Sequence, residues 1–136
     1  GVKAMLFDLD STLMASKSGI YSQEMEEWLK GVQDKFFMAV VSNNKNPDYI
    51  ERVKKISNFP LLFNACKPQT GFVKEFLKKY EVDSKDCVLV GDRPLTDILC
   101  GKLLGCRTIL VDSITADSES KLVRFVRALE RSCIRR

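Results

Sequence analysis

The sequence predicts an α/β fold: a three-layer α/β/α domain with helices covering both faces of one five-stranded parallel sheet. Three observations predict it. The apolar runs are short and rich in Val, Leu and Phe. Helix-like segments separate them, the alternation that builds parallel sheets. The runs are continuously apolar rather than alternating, as strands buried on both faces are. The expected strand order is 5-4-1-2-3.

Taken in order, the first strand is expected over Val2–Asp8 and the first helix over Ser22–Lys30, where Met25, Trp28 and Leu29 read as core. The second strand is Phe36–Ser42. The second helix is Asp48–Ile56, just after Pro47, a residue suited to a first helical turn. Leu61–Ala65 is the weakest strand signal. Gly71–Tyr80 places Phe72, Val73, Phe76 and Leu77 on one helical face. Cys87–Gly91 and Arg107–Val111 are the last two strands, and between them Thr96–Leu104 ends near Gly105, a good C-cap. A final amphipathic helix is expected over about 119–133, with Leu122, Val126 and Leu129 on its apolar stripe and a basic opposite face.

With 136 residues, 45% hydrophobic and 29% charged, the chain is expected to form a single domain, 1–136, around one core. It contains no histidine, which removes Ser-His and Cys-His mechanisms and makes a zinc site improbable. The five cysteines lack C-x-x-C spacing and read as reduced thiols in a reducing, cytoplasmic compartment. The net charge of +4 is unevenly spread. Residues 121–136 carry Lys121, Arg124, Arg127, Arg131, Arg135 and Arg136 against Glu130 alone, so the body is close to neutral. No apolar stretch approaches the length of a membrane span, and no secretory signal is visible. The chain begins at Gly1 without a Met, which suggests that a native N-terminal segment has been trimmed.

Ligands of such sheets sit beyond the carboxyl ends of the strands, and the polar clusters fall there. Asp8 and Asp10 end the first strand, Ser42, Asn43 and Asn44 the second, and Asp92 and Arg93 follow the fourth; Lys67 follows the third. Clustered carboxylates need a cation or a proton to coexist. Hard oxygen ligands with room for phosphate and water suit Mg²⁺. Asp8 could then attack phosphorus, and Asp10 could move protons as general acid and base. Lys67 and Ser42 could hold the phosphoryl oxygens. Each element has a plainer reading. The two acids could cap a turn, Ser42-Asn43-Asn44 could be an ordinary strand-to-turn signal, and Lys67 a solvated loop lysine. Asp92 and Asp97 could cap a helix, and Arg93 could form a surface ion pair. The convergence of separate strand ends on one edge favours a site.

"DLDSTL" (8–13), "VVSNN" (40–44), "CKP" (66–68) and "GDRPLTDI" (91–98) resemble, in order, the four motifs of the haloacid dehalogenase-like (HAD) superfamily. The detail looks most like its subfamily IIIA, the YqeG-like phosphatases. The resemblance runs from Val2 to about Val111 and implies a Rossmann-like domain. It implies Asp8 as nucleophile and Mg²⁺ ligand. Asp10 would be the acid/base and bind Mg²⁺ through its backbone carbonyl, and Asp92 would bind through its side chain. Leu9, Asp10, Ser42, the Asn43 backbone and Lys67 would bind phosphate. The Thr12 hydroxyl would brace the loop, and Asp97 would orient metal-bound water. Ser11 replaces the usual Gly or Asn. The superfamily's common N-terminal helix is missing before strand one.

The gaps from Asp10 to Ser42 and from Asn43 to Lys67 are too short for a cap domain. The site should therefore be open, unless an oligomer partner covers it, and able to admit a bulky phosphate. The expected function is an Mg²⁺-dependent phosphatase acting on phosphatidylglycerophosphate or another bulky phosphate monoester. The alternatives are a non-catalytic phosphate-binding or partner-docking module, or a phosphoacceptor regulatory domain. The basic C-terminal helix would suit an anionic membrane surface. No nucleic-acid partner is indicated.

Overall fold

Ala4–Phe7 forms β1, the central strand, and all four of its residues are buried. The rest of the sheet is built around it. The computed structural model describes residues 2–10, 12–14 and 18–111. Helix α1 (Gln23–Lys35) leads to β2 (Phe37–Val41), and α2 (Pro47–Ile56) leads to β3 (Leu61–Leu62). Helix α3 (Gly71–Lys79) and a short 3-10 turn (Ser84–Asp86) precede β4 (Cys87–Gly91). A π-helical turn (Pro94–Ile98) runs into α4 (Leu99–Leu104), and β5 is Arg107–Leu110. The sheet order is β3-β2-β1-β4-β5, which is the expected order read from the other edge. All pairs are parallel, with Ala4 beside Phe37 on one side and Cys87 on the other.

Two apolar layers hold the sheet between helices. Phe7, Leu9, Met25, Leu29, Tyr49 and Val53 pack with α1 and α2 on one face. Leu6, Val41, Val73, Leu77, Cys100 and Leu104 pack with α3 and α4 on the other. Trp28 stands edge-on to Phe7 in the first layer, as a core aromatic. Between Asp10 and Ser42 the described residues form one helix, and between Asn43 and Lys67 one helix and one short strand. Neither gap holds a cap domain.

Three elements differ most from expectation, each for a local reason. Helix α1 continues to Lys35, because Val32 still reaches the core and the Phe36 amide closes the last turn on the Val32 carbonyl. Strand β3 has two residues instead of five. After Leu62 the backbone turns, with Asn64 and Cys66 in the left-handed region. The Asn64 and Ala65 amides donate to the Asn44 and Ser42 carbonyls. The turn redirects the chain towards the end of β2 instead of extending the ladder. The fourth helix is not uniform: its first part, Pro94–Ile98, is a π turn. Gly105 closes α4 in the left-handed conformation, as expected.

Cys66, Cys87, Cys100 and Cys106 are free thiols. No helix among the described residues is long and apolar enough to cross a membrane. The expected helix at 119–133 lies outside the described residues.

Candidate active site

Four strand ends deliver the site. The Asp8 amide donates to the Val90 carbonyl, which carries the β1–β4 ladder one step past the strand and fixes Asp8 at the sheet's edge. Beyond it the chain tightens. The Leu9 carbonyl accepts from the amides of Thr12, Leu13 and Met14 while the Leu9 side chain is buried in the core. Asp8 and Asp10 are therefore held by a short, pinned loop.

Lys67 is the hub. Its side chain is 1% exposed, and its ammonium donates to Asp8 at 3.0 Å and to Asp97 at 2.6 Å. A buried lysine is tolerated only when its charge is compensated. Burial alone would pull its pKa down, but the two carboxylates outweigh burial and hold it above the ordinary lysine value. Asp8 shows the opposite balance. Burial, more than any other cause, pushes its pKa up to about 6, against the pull of Lys67. The nucleophile candidate is thus incompletely neutralised by the lysine alone.

Two further carboxylates stand beside Asp8. One carboxylate oxygen from each of Asp8, Asp92 and Asp97 lies within 4.8 Å of the others. When all are ionised, the three carboxylates and the Lys67 ammonium carry a net charge of −2 among themselves. The donors are all hard oxygens, the set that suits Mg²⁺. Asp97, expected to act one step removed from the metal, is 1% exposed and sits in the cluster itself. The Asp10 carboxylate is not in it; it accepts instead from the Tyr49 hydroxyl.

Glycine explains how Asp97 gets so close. A Cβ on Gly91 would lie 2.3 Å from the Asp97 carboxylate, so only glycine leaves space for it there. The Asp97 Oδ2 that faces Gly91 accepts from the Arg93 amide at 3.2 Å, and Oδ1 is the oxygen that Lys67 reaches.

The second motif acts through its side chains. The Asn43 amide group brackets the Lys67 peptide, donating to the Lys67 carbonyl at 2.9 Å and accepting from its amide at 2.7 Å. The Ser42 hydroxyl accepts from the Asn44 amide at 3.1 Å and lines the pocket. The Thr12 hydroxyl, expected to brace the loop, is buried and has no hydrogen-bond partner among the described residues. Tyr49 is the residue that sequence reasoning missed. It lies in the first turn of α2, where Asn46 caps the helix by accepting from the Tyr49 amide. Its phenol pKa is pushed up by burial first and then by Asp10, so it stays a proton donor to that carboxylate.

These groups surround a cavity of about 220 Å³ lined by Asp8, Asp10, Ser42, Lys67, Arg93 and Thr96, among others. A cleft of about 260 Å³ lies elsewhere, between α1 and the end of α2, and none of the motif residues lines it.

The family model described as HAD-hydrolase-like matches residues 64–123, the half of the site that carries Lys67, Asp92 and Asp97. The chain is 29% identical over 130 residues to the probable phosphatase YqeG of Bacillus subtilis, covering 96% of this chain and 75% of that protein. It is also 29% identical over 145 residues to phosphatidylglycerophosphate phosphatase 1, chloroplastic/mitochondrial, of Arabidopsis thaliana. That match spans this whole chain but only 42% of the plant protein. Among solved structures, an uncharacterised protein from Listeria monocytogenes aligns with a TM-score of 0.69 at 17% identity, over 86% of this chain and 84% of that one. A HAD family enzyme from Bacteroides thetaiotaomicron, solved in complex with magnesium and inorganic phosphate, aligns with a TM-score of 0.63 at 12% identity. That alignment covers 88% of this chain and 99% of that one. The chain is similar to the haloacid dehalogenase-like hydrolases, YqeG among them, and these matches support a phosphomonoesterase.

Proposed function

We propose that the protein is an Mg²⁺-dependent phosphatase that works through an aspartyl phosphate on Asp8. One observation carries this reading: Asp8, Asp92 and Asp97 converge on one point beside the buried Lys67 ammonium. Asp8, Asp92 and, by its position, Asp97 would hold the ion. When bound, Mg²⁺ supplies charge compensation between the nucleophile and the phosphoryl oxygens.

The chain's own residues do the rest. Lys67 holds Asp8 in place and offers its remaining proton to a phosphoryl oxygen. Ser42 stands across the pocket as a second donor. In the first half-reaction an Asp8 oxygen bonds to phosphorus and the ester P–O bond breaks. The leaving oxygen takes a proton from Asp10. In the second, water loses a proton to Asp10 and its oxygen attacks phosphorus. The acyl-phosphate P–O bond breaks, which returns the Asp8 carboxylate and frees phosphate. Tyr49 fixes the orientation of Asp10 for both transfers.

The substrate is a bulky phosphate monoester, with a phosphorylated glycerolipid such as phosphatidylglycerophosphate as the leading candidate. Support comes from the uncapped site, the basic segment at 121–136 and the activity for which the plant relative is named. The test is turnover of para-nitrophenyl phosphate with and without Mg²⁺. Wild type should require the ion, and Asp8→Asn should lose roughly 10⁴-fold or more in kcat. Undiminished turnover by Asp8→Asn would rule out the covalent route.

A further inference from the structure

We propose that the leucines at 95, 99 and 103 form a membrane-contacting rim that sets the open site against the surface of an anionic phospholipid bilayer. The inference rests on the lipid-phosphate reading above and names the surface that would deliver such a substrate.

Large apolar side chains are usually buried, yet three here share one side of the π turn and α4. Leu95 is 78% exposed, Leu99 39% and Leu103 61%. Their spacing of four residues keeps them on one side of the helix. Leu110, 56% exposed at the end of β5, pairs in register with Gly91, at the foot of the same turn. The row begins at the pocket, because Leu95 lies between Arg93 and Thr96, and both of those line the cavity.

Charge narrows the choice of occupant. Over 93–110 the exposed charged residues are Arg93, Lys102 and Arg107. The sole acid of that stretch, Asp97, is buried against Lys67. The surface is thus leucine and cation with no exposed carboxylate. Leucines that insert while arginine and lysine stay among lipid phosphates are the pattern of an interfacial helix. A second copy docked on the same patch would bring like charges together. The chain's own 121–136 segment, basic opposite its apolar stripe, favours the same anionic surface.

The full chain should co-sediment with vesicles of phosphatidylglycerol and phosphatidylcholine, and much less with phosphatidylcholine alone. Leu99→Gln combined with Leu103→Gln should weaken that partitioning by about tenfold, with para-nitrophenyl phosphate turnover unchanged. Lys102→Glu, an exposed single change with little risk to folding, should weaken it on anionic vesicles only. Vesicle binding is scored without substrate. An inactive protein that still needs the leucines to sediment therefore supports the rim and overturns only the phosphatase reading. Sedimentation that survives both sets of changes overturns the rim. So does loss of binding only when the basic residues of 121–136 are neutralised. A leucine variant that turns a wild-type dimer into a monomer without vesicles would reassign the patch to self-association.

Discussion

Asp8 and Lys67 make the site's chemistry depend on pH in a defined direction. Burial lifts the Asp8 pKa to about 6 from the ordinary aspartate value of 3.8. Between those values the metal-free folded protein holds a proton that the unfolded chain has released. The Asp8 contribution to stability therefore falls as pH rises through that window, and its cost is complete above about pH 6. A cation must displace the same proton. Apparent Mg²⁺ affinity, read by calorimetry, should drop about tenfold per pH unit below pH 6, and Asp8→Asn should bind more weakly but without that dependence. Tyr49 supplies a second residue-scale expectation. Tyr49→Phe removes the donor to Asp10 while keeping the ring in the core, so kcat should fall by about tenfold with KM little changed. Its pH–rate profile should shift as well, a change that a packing role alone would not cause. Asp8, Asp10, Ser42, Lys67 and Asp92 were legible because phosphoryl chemistry restricts the residue types that can stand at strand ends. Tyr49 was not, since an aromatic on the inner face of an amphipathic helix carries the same pattern whether it packs or donates. The place of Asp97 was hidden for another reason: it depends on a turn whose geometry no periodicity reports.

At the scale of elements, the segment from β4 through the π turn is the least forgiving. Gly91 leaves the space that Asp97 fills, and the Arg93 amide holds the carboxylate in it. Gly91→Ala should cost about 1–3 kcal/mol by denaturant unfolding and should weaken Mg²⁺ binding through displacement of Asp97. Unchanged metal affinity with reduced stability would mean that Asp97 takes no part in holding the ion. The strands that pair on both sides were readable to within a few residues, because continuous burial leaves a continuous apolar run, as in "MLF" and "VLV". Edge strand β3 was overextended. Leu61 to Ala65 is apolar throughout except for Asn64, but the last three residues serve the turn that delivers Lys67. Helix α1 was cut short at Lys30, because Gly31, Gln33 and Asp34 dilute an apolar face that Val32 nevertheless continues.

The whole molecule places the proposed nucleophile, its proposed proton carrier and an acidic cluster at one edge of a parallel sheet. Motif spacing leaves no room for a cap, since a cap needs more chain than either gap contains. Sequence spacing could not foretell that Leu95, Leu99 and Leu103 are exposed, because their exposure is decided by which side of α4 faces the sheet. The central claim is that Asp8 becomes phosphorylated, and Asp10→Asn tests it most directly. With para-nitrophenyl phosphate the leaving group needs no proton, so the first half-reaction should still run. Hydrolysis of the intermediate should stall for want of a base. A rapid-quench experiment should give a burst of about one p-nitrophenolate per site, with mass spectrometry placing the phosphoryl group on Asp8. A wild-type enzyme that turns over, beside an Asp10→Asn protein with neither burst nor modified Asp8, would contradict it.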